Sequence, residues 1–320
     1  MDPQVSRLVE MLKAAQAPGV PRLWELPPAV ARHGADTMFK TMFNSGGPSM
    51  AETREIEIPG RRRVIRARLY VPEGVAARSA GLLYLHGGGW VIGSPDTHDR
   101  LTRELAAGIG ARVVSLDYAL APEHPYPEGL DDCVDAARYL GARGDQIGID
   151  PGRLLIGGDS AGANLSAATL LRLKAEPGAA FRGAIYIYGA FAMDYRTPSI
   201  EAWGDRDLIL SRNSMEWFRK QYLPGGAPSG SAASDPYLSP VRGDLAGLPP
   251  AVLIVGTLDP LLSDSELFAE ALRKANVPAE LHVFPDGLHA FAQFFMLDMA
   301  ADAVKRISAF ARARVAWRAA

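Results

Sequence analysis

The chain predicts an α/β fold: a mostly parallel, twisted central sheet with helices on both faces and a helical cap. Three observations carry this. Ala251-Val252-Leu253-Ile254-Val255 is a continuous apolar run, the pattern of a parallel strand buried on both faces. Gly81-Leu82-Leu83-Tyr84-Leu85 and Arg153-Leu154-Leu155-Ile156-Gly157 read as further short strands, and the second leads into helical spacing at Leu165, Ala168 and Leu171. The length, 320 residues, exceeds what one simple core needs and leaves room for a cap.

Taken in order, Asp2-Pro3 supplies a helix cap and a favoured first helical residue. Val5, Leu8, Val9 and Leu12 then share one face, so the chain opens with an amphipathic helix. A second helical stretch is expected over residues 36–43, where Met38, Phe39, Met42 and Phe43 are too apolar for a free surface. Packing on the core and lining a pocket from above are both open readings for them. Arg61, Arg62, Arg63, Arg66 and Arg68 lie in and beside an early strand pattern and read as a solvated face. After a strand at 184–188, residues 197–223 form an insertion with Trp203, Trp217, Phe218 and Tyr222, the second piece of the cap. Pro224-Gly225-Gly226-Ala227-Pro228-Ser229-Gly230-Ser231 reads as a flexible link whose mobility would gate substrate entry. Met296, Met299, Ala303, Ile307 and Phe310 close the chain with a helix. The expected division is a cap over residues 1–50 and 194–227, and a body over 51–193 and 228–320.

The chemistry starts at Gly158-Asp159-Ser160-Ala161-Gly162, a G-x-S-x-G turn between strand and helix that exposes a serine hydroxyl for nucleophilic attack. Its glycines relieve crowding where the backbone bends. Upstream, the strand ending at Leu85 runs into His86-Gly87-Gly88-Gly89-Trp90. Consecutive glycines let main-chain N–H groups approach a substrate closely, as stabilising an acyl-transfer oxyanion requires, and the N–H of Ala161 is a further donor. Of six histidines, only His282 and His289 follow Ser160, as the order serine, acid, histidine demands. His282 sits in the alternating strand Glu280-Leu281-His282-Val283-Phe284 and reads as a sheet residue, whereas His289 lies on the loop beyond. For the acid, Asp259 lies on the turn after the 251–255 run, at the end of the strand from which a carboxylate can hold a histidine. Asp264 is expected to serve the N-terminus of the following helix, and Asp286 belongs to a Pro-Asp-Gly turn.

Together, His86-Gly87-Gly88-Gly89-Trp90, Gly158-Asp159-Ser160-Ala161-Gly162, Asp259-Pro260-Leu261 and His289 resemble the hormone-sensitive lipase family of α/β-hydrolases. Thr97-His98-Asp99, Asp117-Tyr118-Ala119-Leu120-Ala121-Pro122-Glu123-His124-Pro125-Tyr126-Pro127 and Ser239-Pro240 fit the same family, so the resemblance runs from about residue 50 to 310. It implies an α/β-hydrolase fold and a serine carboxylesterase acting on short- to medium-chain acyl esters. It assigns Ser160 as nucleophile, Asp259 and His289 as its partners, and the N–H groups of Gly88, Gly89 and Ala161 as the oxyanion hole. Substrate contacts are expected from Trp90, Met38, Phe39, Met42 and Phe43. His86 is expected to brace the oxyanion loop, with His98 and His124 positioning it. The chain departs from the family at Thr257, where many relatives carry an acid, at Leu262-Ser263-Asp264-Ser265, and at Ala163, where a further glycine is usual.

A net charge of −2 and a pI near 6.3 exclude a nucleic-acid or anionic-membrane partner, which would need a basic surplus. The only macromolecular association that the resemblance suggests is a homodimer. No metal or phosphate-loop pattern occurs, so neither a metal nor a cofactor is expected. The single cysteine, Cys133, reads as a core residue and fits a reducing, cytoplasmic setting, as does the lack of a signal-peptide pattern. No stretch is long enough to span a membrane. Asn164-Leu165-Ser166 matches a glycosylation sequon but falls inside the helix after Ser160. An acyltransferase would use the same residues. A non-catalytic receptor on this scaffold is disfavoured because Ser160, Asp259 and His289 are all present.

Overall fold

Every residue of Ser79–Leu85 is buried, and so is every residue of Ala251–Gly256. Side chains alternate between the two faces of a strand, so both faces of this sheet must be covered. The computed structural model describes residues 1–15, 19–43, 46–175, 179–194, 196–206, 208–223, 225 and 234–316. Among them the strands are β1 (Met50–Pro59), β2 (Val64–Pro72), β3 (Ser79–Leu85), β4 (Arg112–Asp117), β5 (Ile149–Asp159), β6 (Phe181–Ile187), β7 (Ala251–Gly256) and β8 (Ala279–Phe284). They form one sheet in the order β1-β2-β4-β3-β5-β6-β7-β8. β2 runs antiparallel to both of its neighbours, and every other pairing is parallel.

The helices are α1 (Pro3–Ala15), α2 (Pro28–Met38), α3 (Asp99–Ile109), α4 (Glu128–Arg143), α5 (Ala161–Ala175), α6 (Pro198–Trp203), α7 (Arg212–Tyr222), α8 (Leu262–Lys274) and α9 (Asp298–Val315). Leu83, Leu85, Ile156 and Leu253 face Leu130, Leu165 and Phe268 of α4, α5 and α8. Leu82, Tyr84, Leu155 and Ile254 face Leu8, Leu105 and Ile307 of α1, α3 and α9. Two helical layers around one sheet give the expected α/β-hydrolase architecture. The second helix begins at Pro28, well before residue 36, because proline is favoured at a first helical position; a π-helical turn over Phe39–Phe43 follows it. Of the link expected over residues 224–231, only Gly225 is among the described residues.

Cys133 is a core residue, and burial pushes its thiol well up. Arg61, Arg62 and Arg66 are exposed, as expected of a solvated face, whereas Arg63 and Arg68 are partly covered, and the cluster is paired with acids. Arg61 pairs with Asp135 at 2.7 Å, and Arg63 pairs with Asp132, both acids on α4. Arg68 bridges Glu55 and Asp96 at 2.6 Å each. Arg66 pairs with Asp117 at 3.1 Å and Arg62 lies 3.5 Å from Asp131. The physical reason is that α4 lays three aspartates beside the β1–β2 hairpin, a juxtaposition of residues about 70 apart in sequence.

Asp264 also departs from expectation. Its Oδ2 accepts from the N–H groups of Phe191 and Ala192, both at 2.8 Å, so it holds the loop after β6. Burial pushes its carboxyl up to about 7, against the pull of those N–H groups. The folded chain therefore holds a proton that the unfolded chain has released between about pH 4 and 7, and stability falls as pH rises through that window. Asp264→Asn removes this titration and keeps an acceptor for the two N–H groups. In urea titrations, the loss of unfolding free energy between about pH 4.5 and 7.5 should shrink by more than about 1 kcal/mol in the variant. An identical pH slope in both proteins would contradict this placement.

Candidate active site

The parallel run β3-β5-β6-β7-β8 brings the C-terminal ends of its strands to one edge, where an open α/β sheet places its crevice. Ser160 is the one residue between β5 and α5, with φ +53° and its N–H donating to Ile187 O at 2.8 Å. That left-handed backbone is uncommon for a residue with a side chain. A Cβ at Gly158 or Gly162 would collide with the Leu85 carbonyl oxygen, so both glycines are required by the contact between this turn and the end of β3.

His289, on the loop after β8, places Nε2 3.0 Å from Ser160 Oγ and Nδ1 2.9 Å from Asp259 Oδ2. Asp259 is fully buried, and its Oδ1 accepts from Leu261 N–H at 2.8 Å. With Nδ1 protonated toward the carboxylate, the Nε2 lone pair faces the serine hydroxyl. His282 lies on β8, 3.9 Å from Glu280 and 3.4 Å from Arg306. Thr257 Oγ1 accepts from Asp286 N–H at 2.8 Å and so ties down the turn that leads to His289. Asp286, with φ +58°, accepts from the Asp2 N–H and is a turn residue, as expected.

Of the three loop glycines, Gly87 donates its N–H to Asp159 Oδ1 at 2.9 Å. Gly88 and Gly89 have φ +119° and +58° and, with Ala161, line a cavity of about 460 Å³ that also contains Ser160 and His289. A Cβ on Gly88 would strike Ile92 O, and one on Gly89 would strike the Phe218 ring of α7. Apolar walls come from residues 1–50, including Leu23, Met38 and Phe39, and from residues 194–227, including Leu210, Met215 and Phe218. Trp90 lines the same space and stacks on Tyr222, with ring centroids 4.6 Å apart and planes 5° apart. Two expected contacts are corrected: Met42 is 48% exposed, and Phe43 is buried edge-on against Phe294 at 4.6 Å. The π-helical turn directs successive side chains around its axis, so this apolar group divides between cavity, core and solvent.

Sequence reasoning passed over Asp159, which occupies a variable position of the serine motif. Its buried carboxylate accepts from Tyr84 OH at 2.6 Å and from Gly87 N–H, while His98 Nε2 and Gln293 Nε2 each lie 3.2 Å from Oδ2. Burial alone would raise this carboxyl, but the neighbouring His98 and the Tyr84 hydroxyl hold it below its ordinary value. His98 is thus at the glycine loop, as expected, with Nε2 3.3 Å from Gly87 N. His86 contacts the loop through Gly87 O at 2.8 Å and stacks on Tyr118; burial drives its pKa down to about 3, so the ring is neutral at pH 7. His124 is corrected: it pairs with Glu128 at 2.9 Å, one helical turn away on the surface. Trp90, Ser160, Tyr188 and Ala290 all have positive φ and surround the serine and histidine, a concentration of strain common at functional sites. Among the described residues no group of three or more His, Cys, Asp or Glu could hold a metal ion, and no helix is long and apolar enough to cross a membrane.

The chain matches the family described as alpha/beta hydrolase fold over residues 82–293. It is 39% identical over 245 residues to the carboxylesterase NlhH of Mycobacterium tuberculosis, covering 76% of each protein. It is 30% identical over 322 residues to an acetyl esterase of Salmonella paratyphi A, covering 98% of this chain and 97% of that one. Among solved structures, an esterase from Pyrobaculum calidifontis superposes with a TM-score of 0.90 at 32% identity, over 98% of both chains. An α/β hydrolase from the metagenome of Lake Arreo, Spain, gives 0.92 at 32% identity and the same coverage.

The fit of the serine turn against β3 is directly testable. Gly162→Ala puts a methyl group against the Leu85 and His86 carbonyl oxygens and should lower unfolding free energy by at least about 3 kcal/mol in urea. A variant that unfolds at the parental urea concentration would show that the two segments do not approach this closely.

Proposed function

Because the chain belongs to the hormone-sensitive lipase family of α/β-hydrolases and is a carboxylic-ester hydrolase, we propose that it cleaves short- to medium-chain acyl esters through Ser160. The observation that carries this reading is the continuous relay from buried Asp259 through His289 to Ser160 Oγ, with steps of 2.9 and 3.0 Å. Ser160 Oγ attacks the ester carbonyl as His289 Nε2 takes its proton. Asp259 holds the ring and stabilises the imidazolium. The N–H groups of Gly88, Gly89 and Ala161 receive the charge that develops on the carbonyl oxygen, an effect in which one donor is typically worth roughly 3–4 kcal/mol. His289 then returns the proton to the leaving alcohol. Water, deprotonated by the same nitrogen, attacks the acyl-enzyme, and Ser160 leaves with the proton as the acid is released.

The cavity supports the proposed substrate class. Its walls are chiefly apolar side chains of residues 1–50 and 194–227, read as the two pieces of a cap, and this favours neutral esters with an apolar acyl chain. Similar proteins are named ethyl acetate hydrolase, from Pseudomonas putida, and acetyl esterase, which agrees with the short end of the range.

Release of p-nitrophenol from esters running from acetate to dodecanoate tests both parts. Ser160→Ala should lower kcat by roughly 10³-fold or more while circular dichroism stays unchanged. The parent should prefer chains shorter than decanoate. Turnover that survives the substitution would remove Ser160 from the mechanism, and a dodecanoate optimum would overturn the acyl assignment.

A further inference from the structure

We propose that Arg32, on α2 of the cap, is a positioning residue for the oxyanion loop. Its guanidinium reaches across to the body and uses its fork on three acceptors. Nε donates to Val91 O at 2.8 Å, Nη2 donates to Ala121 O at 2.9 Å, and Nη1 and Nη2 hold Glu123 at 3.1 and 2.7 Å. Val91 and Ala121 are main-chain neighbours of the loop itself. Ala121 N–H donates to Trp90 O at 2.9 Å, and the N–H groups of Val91 and Ile92 donate to Gly88 O at 3.1 and 2.9 Å. A single side chain therefore fastens the segment after Gly89 to the loop at 119–123.

The loop needs such a fastening because its backbone is not one that a free chain would keep. Gly88, Gly89 and Trp90 follow one another with positive φ, and Trp90 carries a bulky side chain there. Its upstream end is held from the body, through Gly87 N–H and Asp159. Its downstream end is held by Arg32, which belongs to the cap. Donors aimed at a developing charge act only when they are pre-positioned, so loss of the guanidinium should weaken the transition state more than the ground state. Lysine cannot substitute, because an ammonium lacks the planar fork that meets three acceptors from one position.

This inference rests on the proposal that Gly88 and Gly89 N–H groups receive the oxyanion. Its test uses the full chain with Arg32→Gln, Arg32→Lys and Glu123→Gln, each measured well below its melting temperature. The readouts are kcat and KM on p-nitrophenyl butyrate, and inhibition by an alkyl trifluoromethyl ketone, whose adduct with serine carries an oxyanion. Both Arg32 variants should lose about 10- to 100-fold in kcat with KM within about two-fold, and the ketone should weaken by the same factor as kcat/KM. Glu123→Gln keeps the two carbonyl contacts and should retain at least about half of kcat. Loss confined to KM, unchanged ketone inhibition, or full activity in Arg32→Lys would each overturn the proposal. If Arg32→Gln fails to fold, the lysine variant decides alone. Lack of serine-dependent turnover in the parent would instead refute the reading of the reaction.

Discussion

Asp159 carries a carboxylate that is almost wholly withdrawn from water, and four groups from distant parts of the chain converge on it. Tyr84 comes from β3, the Gly87 N–H from the glycine loop, His98 from the loop that leads into α3, and Gln293 from just beyond His289. Burying an unpaired charge costs several kcal/mol, so these groups are obliged to stay together as long as the carboxylate is ionised. The consequence is geometric. The residue before Ser160 fixes the glycine loop on one side of that serine and the histidine loop on the other. The separate parts of the relay and the candidate oxyanion donors are therefore referred to one point.

Around that point the backbone is under strain. Ser160, Trp90, Tyr188 and Ala290 all adopt positive φ without being glycine. Such residues cost of order 1–3 kcal/mol each and persist only where the surroundings determine them. The surroundings here are two packed helical layers and a sheet whose central strands are buried on both faces. Rigidity from the body is thereby converted into precise placement of a few loop atoms, which is what pre-organised catalysis needs.

The two segments read as a cap do more than line the cavity. Phe218 occupies the space that a side chain on Gly89 would need, Trp90 lies flat on Tyr222, and Arg32 grips the carbonyl of Val91. Each contact joins a residue of α2 or α7 to the glycine loop or its immediate continuation. Under the proposed reaction, substrate selection and transition-state stabilisation share a boundary, and changes made in residues 1–50 or 194–227 to alter acyl preference will be felt at the loop.

Much of this was legible in one dimension. Buried strands announce themselves as apolar runs, and the serine turn and glycine loop are recognisable because their backbones admit only certain residues at Gly158, Gly162, Gly88 and Gly89. Those constraints are local, so the sequence by itself determined the fold class and the small set of residues able to form a relay. The tertiary structure alone decided the rest, because it depends on which distant groups meet. Asp159 sits at a variable position of its motif, and only packing shows that it is the hub. Arg61 and Arg63 read as plain surface charge, and only packing shows that α4 brings its aspartates beside them. Met42 and Phe43 share a pattern with Met38 and Phe39, yet the turn of the helix sends one to solvent and one to the core. Hydrophobic periodicity reports that a side chain is to be covered; it carries no information about what covers it.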